Sequence, residues 1–219
     1  MTWKEALQIT RVRWVIFFCV STLLINVFYT PFFYQEVLSP KKGFSLNDPF
    51  INLFAPVDWS LPIFTILYLT ILHAVLSAMT KPNVALLGLA TYCAVNLFRI
   101  VTMYVITLEP PVGIILLVDP ISSITYPGKD FAKDLFFSGH ISAMMALVFI
   151  EKNRLAKILK IVGTAIMGVL LAWQHVHYTI DLLAAPIITY GAFLLIQAAL
   201  KLGMKPAHPT KEEKTRLRT

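Results

Sequence analysis

Charged residues are scarce in this chain: they make up 14% of its 219 residues, against 57% hydrophobic. A soluble domain carries roughly 25% charged residues. The shortage excludes an ordinary water-soluble domain and points to a membrane protein, with a length suited to one compact domain spanning residues 1–219. Cysteine is nearly absent. Cys19 and Cys93 both fall within apolar runs, so no disulfide framework is expected and neither thiol has metal-ligand company. There is no Gly-rich nucleotide loop, no internal repeat and no low-complexity tract. Acidic residues are outnumbered, which gives a formal charge of +7. The basic residues flank apolar runs, so the excess does not argue for nucleic acid.

Six stretches approach the ~20 apolar residues that a bilayer-crossing helix needs. They run from about Trp14 to Phe33, Leu61 to Met79, Val84 to Leu108, Phe137 to Ile150, Leu155 to Trp173 and Ile180 to Leu202. The fourth is short and can gain a turn from Asp134 onward. The first follows Lys4, Arg11 and Arg13, as a signal peptide would, but it is too long for an h-region and no small-residue cleavage site follows. It reads as a retained span. Met1 to Arg13 places Trp3, Leu7 and Ala6 on one helical face, which suits a surface helix, with a frayed terminus as the alternative. Pro111–Ile124 is broken by prolines, Gly113 and Asp119, and is expected to be a loop or re-entrant piece. The expectation is an all-α, six-helix membrane bundle.

Lysine and arginine divide the loops unequally. Lys4, Arg11, Arg13, Lys81, Lys152, Arg154, Lys157, Lys160 and the tail from Lys201 to Arg218 fall on one side. Only Lys41, Lys42, Lys129 and Lys133 fall on the other. Both termini are therefore expected to be cytoplasmic. The polar tail 205–219 suits anionic headgroups. His140 and His177 should then lie on the same, non-cytoplasmic side, facing lumen, periplasm or exterior.

The chemistry-bearing residues gather at that side. His177 and Asp181 are four apart and share a face on a helix. A carboxylate there fixes the imidazole tautomer, raises basicity and leaves the other nitrogen free as nucleophile or base. The plainer reading is an interfacial hydrogen-bonded pair. His140 follows Ser138-Gly139, where a helix start presents N–H groups to an anion and Ser138 can be an N-cap only. Arg99 lies inside the third run, where it costs ~2.5–3.5 kcal/mol on insertion scales. It either snorkels to the interface or forks onto a phosphate, with Thr102 and Tyr104 as added donors. His175 reads as an interfacial histidine and His73 as an interhelical hydrogen-bonder with no acid nearby. Glu109, Asp119 and Asp130 read as solvated loop carboxylates, and Asp48 and Asp58 are ambiguous. Lys133 either meets an anionic substrate or pairs with a neighbour. Two histidines and an arginine suggest metal-free phosphoester chemistry, in which one histidine attacks phosphorus and the other protonates the leaving alkoxide.

These stretches resemble the sphingomyelin synthase family, a branch of the type-2 phosphatidic acid phosphatase superfamily, over most of the chain. Asp134-Leu135-Phe136-Phe137-Ser138-Gly139-His140 is similar to the family's third motif. His175-Val176-His177-Tyr178-Thr179-Ile180-Asp181 is similar to the fourth, and Arg99 through Leu108 to the second. Ser45-Leu46-Asn47-Asp48-Pro49-Phe50 is a loose likeness of the first. The resemblance implies six spans and a catalytic triad at His140, His177 and Asp181. It implies substrate contacts at Arg99, Thr102, Tyr104, Asp134, Ser138, Gly139 and Tyr178, and neither metal nor cofactor. A phospholipid donor would pass phosphocholine or phosphoethanolamine to ceramide or diacylglycerol through a phosphohistidine-type intermediate. Ala132-Lys133 stands where the family has Cys-Gly. The phosphatase branch's Lys-x6-Arg-Pro motif is absent.

Three other readings stay open. One is a lipid phosphate phosphatase or phospholipase C-like hydrolase with the same triad. Another is a metal-dependent hydrolase with His140, His175, His177 and Asp181 as ligands. The last is a non-catalytic lipid-binding or scaffold protein.

Overall fold

The computed structural model describes residues 2–79, 81–119 and 131–203, with side chains to residue 200. Asp130, Lys129, the tail 205–219 and the end of the Pro111–Ile124 stretch lie outside the described residues. The described architecture is helical, with one isolated parallel bridge between Phe44 and Leu108. The helices are α1 (Trp3–Gln8), α2 (Thr10–Phe28), α3 (Ser60–Ala78), α4 (Pro82–Val105), α5 (Gly139–Ile150), α6 (Arg154–Trp173) and α7 (Thr179–Gly203). Beyond Phe28, α2 continues through a single turn, Thr30–Phe32, into a π-helical turn, Phe33–Leu38.

Among the described residues, five segments are long and apolar enough to cross a membrane: Thr10–Leu38, Ser60–Ala78, Pro82–Val105, Arg154–Trp173 and Thr179–Leu200. The expected fourth span is a helix of only 12 residues, Gly139–Ile150. At 1.5 Å per residue it is about 18 Å long, short of a ~30 Å hydrocarbon core. The extra turn from Asp134 does not form, because Leu135–Ser138 is non-helical and α5 begins only where the Ser138 side chain caps it. The N-terminal segment is a helix rather than a frayed end. Thr2 and Glu5 form a reciprocal capping box at its start.

The most buried of the long helices is α4. It packs against α2, α5 and α7, and its contact face is made of small residues. Ala90 and Cys93 lie against Cys19 of α2, and Gly88 faces Ile150 of α5 so closely that a Cβ would sit 2.7 Å from Ile150 Cδ1. Small residues let helices approach in a lipid environment where no hydrophobic force drives them together. The main core joins α3, α4, α5, α6 and α7 through Ile63, Val95, Phe137, Met144, Met167 and Ala185. Large apolar side chains such as Leu61, Phe28 and Ile187 stay more than 70% exposed on the outer surface. Exposure on that scale suits a lipid surround.

At one end of the bundle the loops 39–59, 106–119 and 174–178 interlock through buried polar groups. Gln174 is fully buried. Its Oε1 accepts from the Trp59 N–H at 2.8 Å, and its Nε2 faces Ser60 Oγ and the Ile115 carbonyl, each at 3.1 Å. His175 takes a left-handed backbone conformation, φ 58°. Its Nδ1 lies 2.8 Å from the Val112 carbonyl and its Nε2 3.0 Å from those of Ile51 and Phe54. It is a buried loop clasp, not an interfacial histidine. At the opposite end, Glu151 pairs with Lys160 at 2.6 Å, both side chains largely buried. His73 of α3 lies 3.8 Å from Glu151, so it does have an acid nearby, supplied by a segment distant in sequence.

Candidate active site

Two chain segments meet where α5 and α7 begin. The Ser138 N–H donates to the Asp181 carbonyl at 3.2 Å, which ties the start of α5 to the first turn of α7. Ser138 also caps α5: its Oγ accepts from the Ile141 N–H at 3.4 Å, and its carbonyl accepts from Ser142 Oγ at 2.7 Å. The stretch after Trp173 is a turn, and α7 starts only at Thr179. His177 and Asp181 therefore meet across a helix terminus rather than along one helical face. Asp181, third in the helix, reaches back to accept the Tyr178 N–H at 3.1 Å, half of a capping box. The same carboxylate oxygen lies 3.5 Å from His177 Nδ1. Both side chains are almost fully buried.

The His140 ring faces the His177 ring with centroids 6.5 Å apart. The edge of Phe64 holds it from the other side at 5.7 Å. His140 is second in α5, so its own N–H and that of Gly139 belong to the first turn and have no acceptor within the helix. Arg99 reaches this point from α4. Its Nε donates to the Phe137 carbonyl at 2.9 Å, and its Nη2 pairs with Asp134 Oδ1. A side chain at 139 would collide with it, since an added Cβ would sit 2.5 Å from Nη1 and 2.7 Å from Cζ. Glycine is needed here for close approach. The guanidinium is 8% exposed on a whole-residue basis and does not snorkel.

Asp134 also accepts from the Tyr34 hydroxyl at 2.6 Å. Burial alone would raise its carboxyl, but the Arg99 charge and the Tyr34 hydrogen bond outweigh this and hold it below the usual carboxylate range. Tyr34 was not singled out from sequence. It lies 100 residues from its partner, and no local pattern marks it.

The remaining expected contact residues divide. Thr102 turns its hydroxyl to the Arg99 carbonyl at 3.2 Å and the Phe136 carbonyl at 3.3 Å, so it braces the approach to Ser138. Tyr104 is not at the site: it is about half exposed, with Lys41 over its ring at 3.9 Å. Five residues past Arg99 it is rotated by about 140° around α4. Tyr178 is buried with its hydroxyl turned outward, donating to the Glu109 carbonyl at 3.0 Å and accepting from the Leu46 N–H at 3.4 Å.

Several loop carboxylates are engaged rather than solvated. Glu109 accepts from the Gly43 N–H at 2.7 Å and from Lys133 at 3.0 Å. Those bonds hold its carboxyl low and make Lys133 a neighbour's partner. Asp119 accepts from the Tyr68 hydroxyl and lines the same cavity as His140. Asp48 accepts from the Thr179 N–H at 2.6 Å and its hydroxyl at 3.0 Å, capping α7 from a distant loop. Burial would raise the Asp48 carboxyl, but these donors and the Phe50 and Ile51 N–H groups keep it low. Asp58 accepts from the Ser60 N–H at the start of α3. His175 makes no chelate with His177, because its ring nitrogens face carbonyls. Among the described residues no three His, Cys, Asp or Glu side chains gather as a cation site.

Residues 133–198 match the PAP2 superfamily C-terminal family model. The matched PAP2 segment contains His140, His177 and Asp181, and stops short of Arg99 and Tyr34. Members of the PAP2 superfamily are typically enzymes acting on phosphate esters. No curated protein matches the chain. The match covers three of the residues, His140, His177 and Asp181, that the fold brings together near Arg99. The match suggests phosphate-ester chemistry for the segment it covers.

Proposed function

We propose that the chain is a membrane lipid phosphotransferase that moves a phosphocholine or phosphoethanolamine headgroup from a glycerophospholipid to a lipid hydroxyl. The observation that carries this reading is the pairing of two imidazoles 6.5 Å apart, one of them backed by a buried carboxylate. With Nδ1 directed at Asp181, His177 presents Nε2 as the nucleophile. Nε2 attacks phosphorus, and the P–O bond to diacylglycerol breaks. His140 gives its proton to the departing alkoxide. Asp181 stabilises the positive charge that forms on His177. In the second half the acceptor hydroxyl loses its proton to His140 and attacks phosphorus, which restores His177. Arg99 Nη1 and the first-turn N–H groups of α5 would hold the non-bridging oxygens. Ceramide and diacylglycerol are the acceptors proposed, with both termini cytoplasmic and the site on the opposite side.

Hydrolysis is the second reading. The PAP2 match favours phosphate-ester chemistry without specifying the acceptor, and water needs no groups beyond the same triad. The two separate in mixed micelles containing fluorescent ceramide and diacylglycerol, with phosphatidylcholine and phosphatidylethanolamine as donors and His177→Ala as control. A new phospho-headgroup lipid, absent with the variant, is the expected result. Release of phosphobase or phosphate alone would make the protein a hydrolase. No turnover of these donors, nor of phosphatidate offered alone, would overturn both.

A further inference from the structure

One cavity of about 750 Å³ begins at Arg99, Asp134 and His140 and runs down between α3, α4 and α5. Its wall also carries Tyr68, Tyr92, Asn96 and Asp119, and is otherwise largely apolar or small, with Leu67, Gly88, Val95, Ala143, Ala146 and Leu147. Ile150 lies ten residues along α5 from His140, or about 15 Å at the helical rise. That is half of a ~30 Å hydrocarbon core, the depth of one leaflet. The rim residues Ile71, Val75 and Leu89 are also exposed on the outside of the bundle, so a chain can enter sideways from the bilayer.

The far end is closed by an element that the phosphoryl chemistry does not use. Trp3 of α1 lines the cavity beside Ala78 and Met79. Its indole Nε1 donates to the Met79 carbonyl at 2.6 Å, satisfying a carbonyl left free where α3 ends. This bond ties the indole to the end of α3. The capping box of Thr2 and Glu5 and the packing of Ala6 with Val12 and Leu86 hold α1 itself in place.

We propose that the slot takes one hydrocarbon chain of the lipid whose phosphate sits at Arg99 and His140, and that Trp3 ends the slot and so sets the chain length accepted. The occupant follows from continuity: a cationic and imidazole head opens directly into a largely apolar channel about one leaflet deep. The proposal rests on the reading of this site as acting on lipid phosphoesters.

The test has two arms. In the first, kcat/KM is measured for donor phospholipids of graded chain length with the wild type, Trp3→Ala and Ala143→Phe. For the wild type, kcat/KM rises with chain length until the chain meets Trp3 and falls beyond it; the chain leaves a micelle rather than water, so the gain comes from packing in the slot. Trp3→Ala moves that limit to longer chains. Ala143→Phe, one turn below His140, removes the preference for long chains while short-chain donors are still turned over. Identical chain profiles in all three proteins would overturn the proposal and leave the lipid reading intact. In the second arm, a phospholipid with a diazirine at its chain terminus is photolysed with the protein in micelles. Labelling of peptides holding Trp3, Met79 or Ile150, lost in Ala143→Phe, is the expected result. Its absence would overturn the slot whatever the activity, and labelling without turnover by the wild type would overturn the enzymatic reading alone.

Discussion

His177 Nδ1 stands 3.5 Å from Asp181 Oδ2 across the first turn of α7, and neither Nδ1 nor Asp181 Oδ1 has a hydrogen-bond partner although both are buried. The pair is aligned but open. Catalytic hydrogen bonds are often long in the free enzyme and close when charge develops. Here that charge arises on the imidazole as Nε2 bonds to phosphorus. Asp181→Asn preserves shape and removes the countercharge, so kcat should fall by roughly 10²–10⁴-fold with KM little changed. His177→Ala should show no turnover. Steady-state transfer assays in micelles check both. An Asp181→Asn variant with unaltered kcat would remove the carboxylate from the mechanism.

The sequence predicted the helices to within a few residues because apolar runs and charged flanks mark them directly. His140, His177 and Asp181 stood out by their local spacing, and the structure brings the three side chains together. What was not legible came from long-range closure. Tyr34 on Asp134, Asp48 on Thr179 and Gln174 on Trp59 join segments about 100 residues apart or more, and nothing in either segment names its partner. Tyr104 shows the opposite error: proximity to Arg99 along the chain suggested a shared role that helical rotation denies it. The fourth helix starts later than expected because Phe136 and Phe137 lengthen the apolar run without joining the helix. Phe137 is buried in the core and gives its carbonyl to Arg99.

Gly139 and Arg99 occupy space that admits no Cβ between them. Arg99 is already held by Phe137 and Asp134, so it has little room to retreat. Gly139→Ala should displace the guanidinium and destabilise the fold by about 1–3 kcal/mol, the usual cost of overpacking. Activity should fall more than tenfold through the lost placement of the phosphate oxygens, since even a small misplacement costs heavily. Binding of vanadate, a phosphate mimic, measured alongside thermal unfolding, separates the two effects. Normal vanadate affinity in Gly139→Ala would show that Arg99 does not hold the anion.

Gln174 should be a structural residue with an indirect effect on catalysis. Gln174→Leu removes the acceptor for Trp59 and the donor to Ser60 and Ile115. Each buried polar group left without a partner costs about 1–3 kcal/mol. Asp48→Ala strips the cap from α7 and should cost about 0.5–2 kcal/mol. Unfolding in detergent followed by circular dichroism should rank Gln174→Leu below Asp48→Ala in stability. For Asp48→Ala, kcat at a temperature where the protein stays folded should remain within a few-fold of wild type, because Asp48 contacts the helix start and no reacting group.

Asp134 predicts an acid-sensitive fold. Arg99 and Tyr34 depress its folded carboxyl below the unfolded value of ~3.9. A depressed carboxylate contributes stability that is present above the unfolded value and lost as pH falls past it and through the lower folded value. Between neutral pH and pH ~5 the contribution is constant; below pH ~4 it declines. Protonation would leave Arg99 buried without its countercharge, so the loss should be felt at the head of the cavity first. Asp134→Asn should be less stable than wild type at neutral pH, by about 1.5–3 kcal/mol for a hydrogen bond to a charged group. Its melting temperature should fall less steeply than that of the wild type between pH 5 and pH 3. Parallel curves for the two proteins across that range would mean that the ion pair contributes nothing to folding, and Arg99 would then need another partner to account for its burial.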